Sequence, residues 1–254
     1  MDPAIQSEMG KQHKTDPLVT LQDAGKAFGK TEVLRDITLT IARGEVLGLV
    51  GPNGGGKSTL LLLMAGLLHP TAGTVRVCGI TAHELALTSA GKVGLVTARP
   101  GLYPLLTGRE NLQHFAGLFG LSRDEIERKA APLLEALALG EGLDRRVGTW
   151  STGMQQKLSL VRALLLSPEV LLFDEPTANL DPVATQTLYE TLRGRADEGL
   201  ACALVTHDLA AAESICDRVL LLEGTIRREL AYAERRTPPT SRLLEAWREE
   251  LDGP

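Results

Sequence analysis

The run Gly51-Pro52-Asn53-Gly54-Gly55-Gly56-Lys57-Ser58-Thr59 satisfies the pattern G-x-x-x-x-G-K-[ST]. Its glycines let successive backbone N–H groups converge on phosphate oxygens, and a helix starting after them adds partial positive charge at the same point. Lys57 has the reach and the charge for β- and γ-phosphates, while the Ser58 hydroxyl is a hard oxygen donor suited to Mg2+. The ligand chemistry these types imply is a nucleoside triphosphate. Further along, Val170-Leu171-Leu172-Phe173-Asp174-Glu175 ends an apolar run with two carboxylates. Asp174 suits a metal ion held through water, and Glu175 is placed to take a proton from an attacking water.

Such residues work only if rigid elements bring them to one edge. Residues 45–50 form a compact apolar run before the glycines, and 57–68 read as a helix after them, giving strand, loop and helix in sequence. Residues 170–173 and 202–205 are apolar at every position, the pattern of parallel strands covered on both faces. Their polar ends would then lie at the carboxyl edge, where ligands of such sheets bind. Runs at 18–21, 33–34 and 37–41 predict a small antiparallel β layer, and 105–166 switches to helical periodicity broken by Gly140, Gly142, Gly148 and Gly153. Residues 1–17 read as a flexible arm. A turn is expected at Glu223-Gly224, and 231–254 as a tail in which Pro238-Pro239 precedes a short amphipathic helix at 241–251.

The chain has 254 residues, 43% hydrophobic and 23% charged, enough to bury its own core. A formal charge of -5 offers no general electrostatic case for nucleic acid or an anionic lipid surface. Cys78, Cys202 and Cys216 are odd in number and far apart, which predicts neither a disulfide framework nor a zinc site and suits a reducing compartment. No apolar stretch approaches the roughly 20 residues that cross a bilayer, and the first residues lack an apolar signal core, so neither a membrane span nor standard export is expected.

Over residues 18–230 the chain resembles the nucleotide-binding subunit of ATP-binding cassette (ABC) transporters. Trp150-Ser151-Thr152-Gly153-Met154-Gln155-Gln156-Lys157 is similar to the family's signature sequence, lying ahead of the acidic strand as the family requires. Ala178-Asn179-Leu180-Asp181 is similar to its D-loop, and Val205-Thr206-His207-Asp208 to the strand end bearing its switch histidine. Out of context, Ser-x-Gly is a helix cap and a lone His a surface or core residue. The resemblance implies an α/β P-loop NTPase core with an antiparallel β layer and a helical subdomain at about 100–166. It implies ATP and Mg2+ as cofactors, with Gly51, Pro52, Asn53, Gly54, Gly55, Gly56, Lys57, Ser58 and Thr59 cradling the phosphates and Ser58 and Asp174 on the metal. Lys57, Glu175 and His207 would carry the hydrolysis. In the family, the signature residues of one subunit, here Ser151 and Gly153, cover the γ-phosphate bound by the other, and Asp181 would run along that interface. Phe28 stands where the family places an aromatic that stacks on adenine, although a single Phe is more often core.

One motif departs from the family. Gly94-Leu95-Val96-Thr97-Ala98-Arg99-Pro100 puts Ala98 where a glutamine usually contacts Mg2+ and water. Either Thr97 or solvent fills that gap, or the loop serves mechanical coupling. The stretch around Tyr103, Arg109, Glu110 and Asn111 is most similar to ATPases that partner bacterial ABC-2-type exporters. Leu102, Tyr103 and Leu105 would dock the membrane subunit, or form the helical region's own core. The implied function is a cytoplasmic, membrane-peripheral ATPase subunit that forms a homodimer on ATP and drives a separate transmembrane permease in export, with no nucleic-acid partner. The alternative is a soluble ABC ATPase outside transport, such as one in cluster assembly.

Overall fold

The computed structural model describes residues 17–82, 84–85, 91–177 and 180–231. The arm expected at 1–17, apart from Pro17, and the tail with its helix at 241–251 lie outside the described residues.

Buried aliphatic residues alternate with polar ones at Ile37, Leu39 and Ile41, the period of a strand with one covered face. They sit in β2 (Thr31–Ala42), which pairs antiparallel with β1 (Pro17–Phe28). Both strands run longer than the apolar runs suggested, because pairing resumes beyond an irregularity at 22–23, where Asp23 takes φ 48°. With β4 (Ala72–Val77) and β5 (Ile80–Thr81) they form a four-stranded sheet in the order β2-β1-β4-β5, the antiparallel layer expected.

The second sheet has six strands in the order β10-β9-β3-β8-β7-β6: β3 (Val46–Val50), β6 (Val93–Thr97), β7 (Val170–Asp174), β8 (Ala201–Val205), β9 (Arg218–Glu223) and β10 (Thr225–Ala231). All pairs are parallel except β9 with β10, the hairpin turning at Gly224. The reason for the all-apolar strands is visible in the core. Leu47, Leu49, Leu172, Ala203 and Val205 face α1 (Lys57–Met64) and the antiparallel layer, whereas Val46, Leu171, Phe173, Cys202 and Leu204 face a helical layer. Burial pushes the thiols of Cys202 and Cys216 well above their ordinary value, and all three cysteines are free.

Helix α1 stops at Met64, short of the expected 68. Gly66 adopts φ 71°, and Leu67 and Leu68 donate back to the Leu62 carbonyl at 3.0 and 3.1 Å, a left-handed glycine ending. The helical layer comprises α2 (Gly108–Gly117), α3 (Arg123–Ala136) and α4 (Thr152–Leu164), followed in the sheet by α5 (Pro182–Asp197) and α6 (Leu209–Ile215). Reciprocal boxes start α2 at Thr107 with Glu110 and α3 at Ser122 with Glu125, each cap contributing about 1 kcal/mol. Among the described residues no helix is long and apolar enough to cross a membrane.

Candidate nucleotide site

The loop 51–56 leaves β3 at the carboxyl edge and enters α1. Its shape is dictated by close neighbours as much as by flexibility. A Cβ on Gly51 would lie 2.0 Å from the Leu222 carbonyl oxygen, so no side chain fits, and Gly56 takes φ 94°. The Gly224 N–H donates to the Gly55 carbonyl at 3.0 Å, so the β9–β10 turn braces the loop from behind. Lys57 is buried, and its ammonium donates to the Gly51 and Pro52 carbonyls at 2.9 and 2.8 Å. Burial pushes it below the ordinary lysine value, while the carboxylates of Glu175 and Asp174 pull the other way. Ser58, Asn53 and Gly54 face outward.

Strand register delivers the rest. Asp174 of β7 is the register partner of both Thr97 of β6 and Val205 of β8, and Val205 pairs also with Leu49 of β3, so three strands end at one level and β3 one residue beyond it. Glu175, just past β7, sits at φ 51°, a left-handed conformation that costs an L residue about 1–2 kcal/mol. Its N–H is held by the Val205 carbonyl at 3.1 Å, and its Oε1 lies 2.8 Å from His207 Nε2. Residues held in such sparsely populated conformations cluster at functional sites, where the surrounding structure over-determines them. A cavity of about 700 Å³ opens beside the pair, lined also by Thr177, Tyr189, Thr206 and Asp208. Ser58 and Asp174 are oxygen donors, a hydroxyl and a carboxylate, and such a set suits Mg2+ when phosphates and water complete it. Among the described residues no cluster of three His, Cys, Asp or Glu side chains could hold a metal by itself.

Lys57, Asp174, Glu175 and His207 thus come together, and the signature pair stands elsewhere. Ser151 caps α4, accepting from the Met154 N–H at 3.3 Å, and α4 packs on β6, α2 and α3. The Gly153 Cα has room for a Cβ, the nearest atom being 3.7 Å away on Leu180. Asp181 caps α5 by accepting from the Ala184 N–H at 2.9 Å, and Asp208 caps α6 in the same way; Ala178 and Asn179 of that motif lie outside the described residues. Phe28 is half exposed at the end of β1, with Lys26 Nζ 5.1 Å from its ring centre.

The loop after β6 is tied down by groups that sequence reasoning did not single out. Gln156 Nε2 donates to the Thr97 carbonyl at 3.0 Å, Ser159 Oγ to the Pro100 carbonyl at 3.2 Å, and Arg162 to the Gly101 carbonyl at 2.8 Å. The signal available was three polar side chains at 156, 159 and 162 on a helix that must be largely buried. The Thr97 hydroxyl donates to the Arg99 carbonyl at 2.6 Å, so its proton is already committed within the loop. Asn111, fully buried on α2, accepts from the Tyr103 N–H at 2.8 Å and donates to the Tyr103 and Thr107 carbonyls at 3.0 and 2.9 Å. It fixes a loop on which Tyr103 and Leu105 are exposed, whereas Leu102 packs on the helical core.

Residues 34–178 match the family described as ABC transporter. The Nod factor export ATP-binding protein I of Burkholderia lata is 39% identical over 205 residues, covering 81% of this chain and 67% of that protein. The ABC transporter ATP-binding protein NatA of Bacillus subtilis is 34% identical over 212 residues, covering 82% of this chain and 86% of that one. A solved dimeric ATP-binding cassette in a post-hydrolysis state, bound to ADP and Pi, superimposes with a TM-score of 0.76 at 29% identity over 84% of this chain and 98% of that one. On an α/β P-loop NTPase fold with these motifs in order, the chain belongs to the ATP-binding subunits of the ABC transporter family.

Proposed function

We propose that two copies of this chain close on two ATP molecules at the cytoplasmic face of a membrane, and that closure and hydrolysis drive a separate permease in export. The observation that carries the catalytic part is Glu175 held 2.8 Å from His207 at the strand edge that also receives Lys57. In this reading the Lys57 ammonium neutralises charge on the β- and γ-phosphates, and the backbone of 51–56 cradles them. Glu175 orients a water and accepts its proton at a carboxylate oxygen, while His207 Nε2 fixes where that carboxylate points. Mg2+, held through Ser58 and Asp174, would supply charge neutralisation on the same phosphates when bound. Ser151 and Gly153 of a second copy complete the site, the open space at Gly153 leaving the α4 N-terminus clear for an anion. Phe28 takes the adenine face.

Residues 18–230 form the nucleotide-binding domain in this reading, with Tyr103 and Leu105 meeting the permease. Relatives named for export support transport over a soluble role in cluster assembly. The test is Glu175→Gln. ATP binding should persist within about threefold while turnover falls by about 100-fold or more. Turnover at the parental rate would remove Glu175 from the mechanism. The same variant, purified from gently solubilised cells with ATP and Mg2+, should bring a multi-span membrane protein with it; recovery of soluble partners alone would favour the non-transport alternative.

A further inference from the structure

Arg162 occupies an unusual position for a cation. One branch of its guanidinium donates to the Gly101 carbonyl at 2.8 Å, the other to Ser159 Oγ at 3.2 Å, and its Cζ lies 4.6 Å from the centre of the Phe115 ring on α2. Burial pushes it below its ordinary value, and these described partners are a carbonyl, a hydroxyl and a ring face rather than a carboxylate. Phe115 in turn stacks on Tyr103, with ring centres 5.6 Å apart and planes at 25°, and Tyr103 meets His114 edge-on at 5.0 Å. Tyr103 is half exposed and Leu105 more so. A guanidinium's planar fork directs donors to a carbonyl and a hydroxyl at fixed angles while its face meets an aromatic ring.

We propose that Arg162 is a positioning residue that joins the loop 97–101, the signature helix α4 and the exposed Tyr103 cluster into one body, so that contact at Tyr103 is felt at the Thr97 end of the loop and at Ser151. The route is continuous in contacts already given: Tyr103 to Phe115, Phe115 to Arg162, then Gly101, Pro100 and Thr97 through Arg162, Ser159 and Gln156. Thr97 is the register partner of Asp174, and Ser151 lies about 16 Å from Arg162 along the same helix. The inference rests on the reading that Tyr103 meets a membrane subunit, and it supplies what Ala98 lacks. A side chain that reached from the loop to the nucleotide would couple the two directly, and here the clamp to α4 takes its place.

Spatial continuity alone does not establish coupling, so the test is a double-mutant cycle. Arg162→Met keeps the stem and removes the fork; Phe115→Leu keeps packing and removes the ring. Amide hydrogen exchange of the full chain is read at Tyr103 and Leu106, whose N–H groups are bonded to Asn111 Oδ1 and the Tyr103 carbonyl. Exchange there should quicken about tenfold in Arg162→Met and about threefold in Phe115→Leu, and the double variant should exchange no faster than Arg162→Met. Arg162→Lys, which keeps a charge on the ring and gives up the fork, should fall between, and it carries the cycle if Arg162→Met does not fold. Unchanged exchange in the Arg162 variants, or additive loosening, overturns the proposal.

A purely structural clamp would alter exchange alone, so hydrolysis by the chain co-expressed with its membrane subunit is the second readout. Stimulation of kcat by that subunit should fall about fivefold or more in both single variants, with basal kcat and KM for ATP within about twofold of the parent. Full stimulation in Arg162→Met would overturn the coupling. If the parent itself shows no stimulation by the membrane subunit, the docking reading fails, and the exchange cycle still decides whether Arg162 joins the three elements.

Discussion

The loop after β3 and the loop after β6 leave one parallel sheet at one edge, and different contacts hold them. Backbone braces the first from outside, with the Leu222 carbonyl against Gly51 and the Gly224 N–H on Gly55, and the loop's own Lys57 ammonium folds onto the Gly51 and Pro52 carbonyls. Side chains of one helix hold the second, through Gln156, Ser159 and Arg162. A backbone cradle presents N–H groups at fixed spacing and, at Gly51, leaves no room for a side chain, which suits recognition of a ligand of constant shape. A side-chain clamp follows its helix wherever the helix goes. In the proposed reading the first loop serves the chemistry and the second the transmission of movement.

Removing the only cation of the cradle is the severest challenge to that division. Lys57→Met keeps the buried stem and deletes the ammonium with its two carbonyl bonds, while the Leu222 and Gly224 contacts still brace the loop and the phosphates lose their charged partner. Hydrolysis should drop about 100-fold or more, and ATP affinity with it. Measurement of kcat and of nucleotide binding by calorimetry checks both. A variant with kcat within about threefold of the parent would show that loop backbone alone suffices, and the contrast with the clamped loop would collapse.

The parts of this site that were legible in the sequence are those whose chemistry is contiguous in the chain. Gly51 to Thr59 carries its own cradle, and Asp174 and Glu175 follow directly on an apolar strand that only a doubly covered sheet explains. His207 was legible only through the resemblance of Val205-Thr206-His207-Asp208 to a family motif at the end of β8. What the sequence left unread lies in contacts between distant segments. Nothing near Gly51 announces that Leu222 will press on it, and nothing near Ala98 announces that α4 will grip its neighbours. The early end of α1 belongs to the same class, since Gly66 sits where its added Cβ would come within 2.9 Å of the Ala82 carbonyl. Gly148, read as a break in helical periodicity, lies against the Pro104 carbonyl, whereas Gly153 stands at the start of α4, where the signature resemblance puts it.

A smaller effect tests where the first loop's site ends. Phe28 projects from the antiparallel layer rather than from the sheet edge, half exposed and partnered by Lys26. If adenine stacks there, Phe28→Ala should raise KM for ATP by about tenfold or less, the worth of one aromatic contact, and leave kcat unchanged. Phe28→Tyr should restore the parental KM. A change in kcat instead would mean that the hairpin bears on phosphate geometry.

The smallest expected effect discriminates most sharply between the two loops. Ala98→Gln restores an amide at the place where the family contacts metal and water. Were the second loop a deficient copy of a chemical loop, the added ligand would lift hydrolysis tenfold or more. The contacts argue otherwise. The carbonyls of Thr97, Pro100 and Gly101 are already gripped by α4, the Thr97 hydroxyl donates to Arg99, and the loop has one settled path along the helix. The loop path is set by contacts to its own backbone and not by an amide at position 98, so kcat and KM for ATP in Ala98→Gln should stay within about twofold of the parent. Steady-state rates at saturating ATP and Mg2+ decide the matter. A tenfold rise would return the second loop to catalysis.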